Sequence, residues 1–161
     1  MKRSRKKYER PLKPWDKSRI ERDKEIMKKY GLRKKMEIWK TEAVLRKYRR
    51  MARELAAKKD KEKEKILIDK LVRLGLLGES AKLDDILGLN IENFLDRRLQ
   101  TVVFKKGLVK SPKHARQAVV YGHVRIEKRK VVYPSYFVSL EEENKIEVDT
   151  AQKPMVIVSE G

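Results

Sequence analysis

The chain contains no cysteine, which excludes disulfides, thiolate zinc sites, iron–sulfur clusters and thiol nucleophiles together. Its two histidines, His114 and His123, are nine positions apart, whereas zinc needs three or four convergent ligands, so no metal site is expected. No apolar run approaches a membrane span. The basic start Met1-Lys2-Arg3-Ser4-Arg5-Lys6-Lys7-Tyr8 is not followed by an apolar core of signal-peptide length. The chain therefore reads as cytosolic, with no membrane partner. Also missing are a Gly-rich phosphate cradle, a G-x-S-x-G elbow and a carboxylate pair at a convincing spacing. Ser111 and His114 are three apart, but the serine is better explained as a helix cap. The sequence offers no active site, calls for no cofactor and does not read as an enzyme.

Negative charge is scarce. Against 24 Asp and Glu stand 43 Lys and Arg, a formal net charge of +19. That is far more than solubility requires and points to a phosphate-rich partner or an anionic surface, with nucleic acid the leading candidate. Such a burden repels itself in a free monomer and is relieved by bound phosphate, which suggests an obligate component of a complex. The 161 residues, 40% of them hydrophobic, allow one ordinary domain or a small domain with an appendage. The cations fall in two blocks. Residues 1–65 carry a local net charge of +16 and residues 94–139 one of +9, separated by a nearly neutral stretch and followed by a C-terminal segment at −4.

The arm 1–30 mixes Pro11, Pro14, Tyr8 and Trp15 with charge, as an extended segment that orders on its partner would. Within it a helix is expected from Asp16 or Ser18 to Tyr30-Gly31, Gly31 taking the left-handed position. From Lys34 to about Lys59, Ile38, Leu45, Tyr48, Ala52 and Leu55 recur at helical spacing, with Arg46, Lys47, Arg49, Arg50 and Arg53 on the other face. Ile66, Leu67, Leu71, Val72 and Leu74 resume the stripe and suggest a helical hairpin, and Asp84 or Asp85 is expected to cap a single turn. A continuous helix is predicted from Asn90 to about Lys105, and a second opens with Ser111 as cap and Pro112 at its first position, closing at Tyr121-Gly122. Beyond Gly122 the period becomes two. Val124 and Ile126 are inward, a charged turn covers Lys128 to Lys130, Val131-Val132 returns, and Phe137-Val138, Ile146–Val148 and Met155–Val158 are further short strands. The class is α+β, an N-terminal helical lobe (31–92) with its basic arm, then a helix pair packed on a small, mostly antiparallel sheet (93–161).

The helix pair is expected to place Arg97, Arg98, Lys113, Arg116 and Gln117 outside its apolar stripe, with small Ala115 and Ala118 allowing close packing. An ordinary solvated face is the alternative. Arginine forks match phosphate oxygens and lysines act as mobile charges, a mixture suited to a shaped RNA backbone. Trp15 is the candidate for stacking on a base, while Trp39 and Phe137 read as core. Glu141-Glu142-Glu143 reads as a solvated loop.

Two groups of residues carry a family resemblance. Phe94-Leu95-Asp96-Arg97-Arg98-Leu99 through Gly107-Leu108, Ser111 with Ala115-Arg116, Gly122-His123-Val124-Arg125 and Pro134-Ser135-Tyr136-Phe137-Val138 resemble the S-four RNA-binding domain. Tyr30-Gly31-Leu32-Arg33-Lys34-Lys35, Glu37-Ile38-Trp39, Ala52-Arg53-Glu54-Leu55 and Leu83-Asp84-Asp85-Ile86-Leu87-Gly88-Leu89 resemble the universal small-subunit ribosomal protein four family in its archaeal and eukaryotic form. The resemblance implies a structural constituent of the small ribosomal subunit. Such a protein binds a multi-helix junction in the 5′ domain of the ribosomal RNA and nucleates assembly of the subunit body. It also implies a place near the messenger RNA entry region beside ribosomal proteins three and five, and an influence on translational accuracy. The RNA-binding residues expected are Arg3, Arg5, Lys6, Lys7, Arg49, Arg50, Arg97, Arg98, Lys113, Arg116, Gln117, His123 and Arg125. Some bacterial relatives carry a zinc-binding cysteine cluster, which this chain cannot have. The domain's frequent Asn-Gly turn is replaced by Glu127-Lys128-Arg129-Lys130, expected to form a longer and more basic turn that adds phosphate contacts. An RNA-modifying enzyme would need a catalytic domain for which the recognised segments leave no room, and the N-terminal extension argues against a free RNA chaperone.

Overall fold

A computed structural model describes residues 6–78 and 80–148. The chain divides into two compact units, Met1–Asp96 and Arg97–Gly161, a turn later than the boundary drawn from sequence. The strand expected at Met155–Val158 lies outside the described residues.

The first unit is helical. Helix α1 (Lys17–Tyr30) ends at Gly31 with φ 59°, and the Leu32 amide closes back onto the Met27 carbonyl at 3.0 Å, a glycine C-cap as the sequence predicts. Helix α2 (Lys35–Lys58) buries Ile38, Leu45 and Ala52 on the expected stripe. It ends at Lys59, which takes φ 54° without the help of glycine. Helix α3 (Lys61–Arg73) therefore begins inside the charge run, and it buries Leu67 and Leu71. Helix α4 (Leu83–Gly88) is closed by Asp85, whose Oδ2 accepts from the Lys82 amide at 2.7 Å. The acid caps from the first turn rather than from the residue before it. Helix α5 (Ile91–Asp96) buries Phe94 and Leu95, Phe94 stacking on Tyr48 at 5.8 Å. The Tyr30 hydroxyl donates to Asp96 Oδ1 at 3.0 Å, tying α1 to α5. Burial, and next the Asp96 charge, push that hydroxyl's pKa well up, so it stays a donor.

The predicted helix from Asn90 to Lys105 is interrupted. Arg97 leaves the helix and Arg98 is extended, at φ −75° and ψ 140°, bridging to Phe137. The Val138 amide donates to the Arg97 carbonyl at 3.0 Å and the Leu99 amide to the Tyr136 carbonyl at 2.7 Å. Phe137-Val138 is thus half of this local pairing rather than a strand of the main sheet.

In the second unit, helix α6 (Leu99–Lys105) packs on helix α7 (Pro112–Val120). Strands β1 (Val124–Ile126), β2 (Arg129–Lys130) and β3 (Ile146–Val148) form an antiparallel sheet in the order β2-β1-β3. The core gathers Leu99, Val102 and Val103 of α6, Ala115, Ala118 and Val119 of α7, and Val124, Ile126, Ile146 and Val148 of the sheet. The β1–β2 turn is shorter than expected. Ile126 pairs with Arg129, leaving only Glu127 and Lys128 at the corner, with φ 50° and 70°. Two positive φ angles in a two-residue hairpin are the geometry that Asn-Gly usually supplies. The three glutamates are not a loop either. Leu140–Glu143 is a helical turn, α8, capped reciprocally by Ser139 and Glu142.

Candidate nucleic-acid interface

In the second unit the start of α7 is built by its own sequence. The Ser111 hydroxyl accepts from the His114 amide at 3.2 Å, and Pro112 occupies the first helical position, where an N–H would have no partner. Ala115 and Ala118 are fully buried against α6, and Lys113 and Gln117, four apart, are exposed. Arg116 is half-buried. Its Nη1 lies 3.5 Å from Oε1 of the buried Gln100, whose Nε2 donates to the Pro112 carbonyl at 3.0 Å. Gln100 thereby joins α6 to the first turn of α7 and faces the Arg116 guanidinium. His123 is half-buried with its ring edge-on to Tyr121 at 6.3 Å. Arg125 is exposed on the central strand, opposite Lys130 on one side and Glu147 on the other.

Arg97 and Arg98 do not lie on the exposed cationic face expected of them. Arg98 is 4% exposed. Arg97 donates from Nη1 to Glu143 Oε2 at 2.7 Å and from Nη2 to the Val138 carbonyl at 3.1 Å, with its side chain 13% exposed. Both turn inward because the break after α5 makes them part of the pairing with residues 137–138. Next to them the Tyr136 hydroxyl donates to Glu142 Oε1 at 2.7 Å. Burial pushes the Glu142 carboxyl up, but the bonds from Tyr136 and Ser139 outweigh it and leave the pKa below the ordinary value.

Lys128 to Lys130 were expected to form a basic turn that adds phosphate contacts. The exposed Arg129 and Lys130 are in fact strand β2, and the Lys130 stem lies across Gly122, where a Cβ would come within 1.9 Å of its Cε. Its φ of 75° is what requires glycine at position 122, since the exposed Lys130 stem can swing aside. The signal available in sequence was three consecutive cations after a strand.

The first unit holds a second basic surface. Lys6 and Lys7 lie over α2 and, with Tyr8, Glu9, Ala43, Arg46, Lys47 and Arg50, line an open cleft of about 360 Å³. Spacing of three and four along α2 puts Ala43, Arg46, Lys47 and Arg50 on one face. Glu9 Oε2 accepts from Arg46 Nη1 at 2.8 Å, and Arg50 pairs with Glu54 at 3.3 Å. Arg49 faces elsewhere. Its Nη2 donates to the Leu89 carbonyl at 2.6 Å and holds α2 against the end of α4. Arg3 and Arg5 lie outside the described residues. Arg46 and Lys47, on the polar face in sequence but not among the expected contacts, are the cations that join Lys6, Lys7 and Arg50.

Among the described residues no group of three His, Asp or Glu could hold a metal ion, and no helix is long and apolar enough to cross a membrane.

Family models match both parts of the chain: the ribosomal protein S4/S9 N-terminal domain over residues 1–96 and the S4 domain over residues 97–144. Among similar proteins, the small ribosomal subunit protein uS4 of Korarchaeum cryptofilum is 48% identical over 149 residues, covering 91% of this chain and 90% of that protein. The protein of the same name from Saccharolobus islandicus is 46% identical over 150 residues, covering 91% and 83%. With models matching along its length and relatives at nearly half identity, the chain belongs to the ribosomal protein S4 (uS4) family.

Proposed function

We propose that the chain binds the multi-helix junction in the 5′ domain of the small-subunit ribosomal RNA through basic surfaces on each of its two units and thereby nucleates assembly of the subunit body. As a family member it is a structural constituent of the small ribosomal subunit in the cytoplasm and binds ribosomal RNA. The observation that carries the finer reading is the pair of separately built cationic surfaces. In the second unit Lys113, Arg116 and Gln117 lie on α7, and His123, Arg125 and the β2 cations lie beside or on the sheet; in the first unit Lys6, Lys7, Arg46, Lys47 and Arg50 line one cleft. Apart from Lys6 and Lys7, which belong to the arm, these cations sit on capped or packed elements, so their backbone loses little freedom on binding. Phosphate contacts of this kind fix position and read shape, with little readout of duplex sequence.

The family resemblance further supports neighbours among the small-subunit proteins, three and five, a place near the messenger RNA entry region, and an effect on decoding accuracy. The functional division we assign is an arm over 1–30, a helical lobe over 31–92 and an S-four RNA-binding domain from 93 onward. No catalytic step belongs to this reading. In a lysate at moderate salt the protein is expected to sediment with small subunits in a sucrose gradient. Recovery only at the top of the gradient would refute the assignment.

A further inference from the structure

Beneath the arm of the first unit is a second cavity, of about 540 Å³, that the cationic cleft does not use. Its apolar lining includes Pro11, Pro14, Ile20, Met36 and Trp39. Three polar side chains in the same lining each hold a buried atom without a hydrogen-bond partner: Asp23 Oδ1, the Trp39 indole Nε1 and Arg19 Nε. Asp23 is 3% exposed, and the Arg22 Nη2 stands 3.8 Å from its Oδ1, beyond hydrogen-bond reach. Arg19 uses its Nη2 on Glu42 at 3.0 Å, which leaves Nε as a buried donor without a partner. Buried polar groups are almost always paired, and these three atoms are themselves enclosed, so a ligand that pairs them reaches them only when the cover above them moves. The roof above them is easily moved. Arm residues 6–13 belong to no helix, strand or hydrogen-bonded turn, and Leu12 is fully exposed.

We propose that this cavity receives one unpaired guanine of the bound RNA, with residues 10–14 acting as a strap that lifts to admit it and then closes. The inference rests on the ribosomal RNA reading. A carboxylate beside N–H donors complements a flat ring whose edge sets a carbonyl beside N–H groups, and guanine presents O6 next to N1–H and N2–H. Uracil offers a single N–H between two carbonyls, which a carboxylate repels. Unstacked bases are read on this edge while their faces stack on aromatic side chains, the part assigned to Trp39. Arg10, Arg19 and Lys35 also line the cavity. They favour a flanking phosphate and disfavour the lysine or arginine of a protein partner.

The test uses the full ¹⁵N-labelled chain and two RNA hairpins identical except for one bulged nucleotide, G or U. The two indole N–H resonances are assigned with Trp39→Phe. The expected result is that the Trp39 resonance moves on adding the G hairpin and not the U hairpin, and that G binds about tenfold tighter. Asp23→Asn should reduce the preference to about twofold or less. Because the readout is the G-to-U ratio within each variant, a folding defect that weakens both hairpins does not imitate the effect. Equal affinity for G and U, an unmoved Trp39 resonance, or an undiminished preference in Asp23→Asn overturns the proposal. So does a Trp39 response to an arginine-rich peptide and not to RNA. If both hairpins bind equally with steep salt dependence, only the pocket falls. If neither binds at low salt, the ribosomal RNA reading fails with it.

Discussion

Gln100 shows how one buried amide can organise a cationic surface. It is 1% exposed in the first turn of α6, yet it makes hydrogen bonds with the Pro112 carbonyl and the Arg116 guanidinium. Replacing it with leucine keeps the volume and removes both partners. The expected cost is about 1–3 kcal/mol, because the facing groups lose their bonds while remaining partly buried. Urea denaturation followed by circular dichroism measures it, and an unchanged midpoint would show that the amide is not structural. Arg98 and Arg116, which look equivalent in sequence, part company at this scale. Arg116 lies half-buried on α7, whereas Arg98 is enclosed, so alanine at 98 acts on folding before it acts on RNA.

The elements divide by where their instructions lie. The stripe of α2, the Gly31 stop and the Ser111-Pro112 start were legible because each is written in neighbouring residues: period, left-handed glycine, cap and fixed φ. The break at Arg97–Arg98 was not. No glycine or proline marks it, and the helical pattern runs on, but pairing with Phe137 about forty residues later competes successfully with helix continuation. Glu127-Lys128 was missed for a related reason. Neither residue favours positive φ, and the turn is imposed by the β1–β2 register. Lys128→Gly is accordingly expected to stabilise the chain by about 0.5–1 kcal/mol, since relief of the left-handed conformation exceeds the added freedom of the unfolded chain. A higher melting temperature in calorimetry is the outcome sought, and a lower one would contradict the turn geometry.

Across the whole molecule, the two blocks of positive charge were legible from composition, and so was the class of partner. Which cations remain available was not, because availability depends on packing: Arg49 fastens α2, Arg97 is bound to Glu143, and Arg46 and Lys47 line the cleft. Each phosphate neutralised contributes about −0.7 to −0.9 to the slope of log affinity against log salt, so two surfaces acting together predict a slope of about −5 or steeper. Filter binding to the junction RNA across a salt series measures it, and a flat line would remove the electrostatic mechanism.

Strand β2 has a use before any RNA is met. Among the described residues it is an edge of the sheet, two residues long, and both are cations. A short edge carrying like charges repels the edge of any identical chain and so resists strand addition between copies. The same arginine and lysine that can later meet phosphate thus help to keep newly made, unassembled copies apart. Their charge guards the interval between synthesis and incorporation.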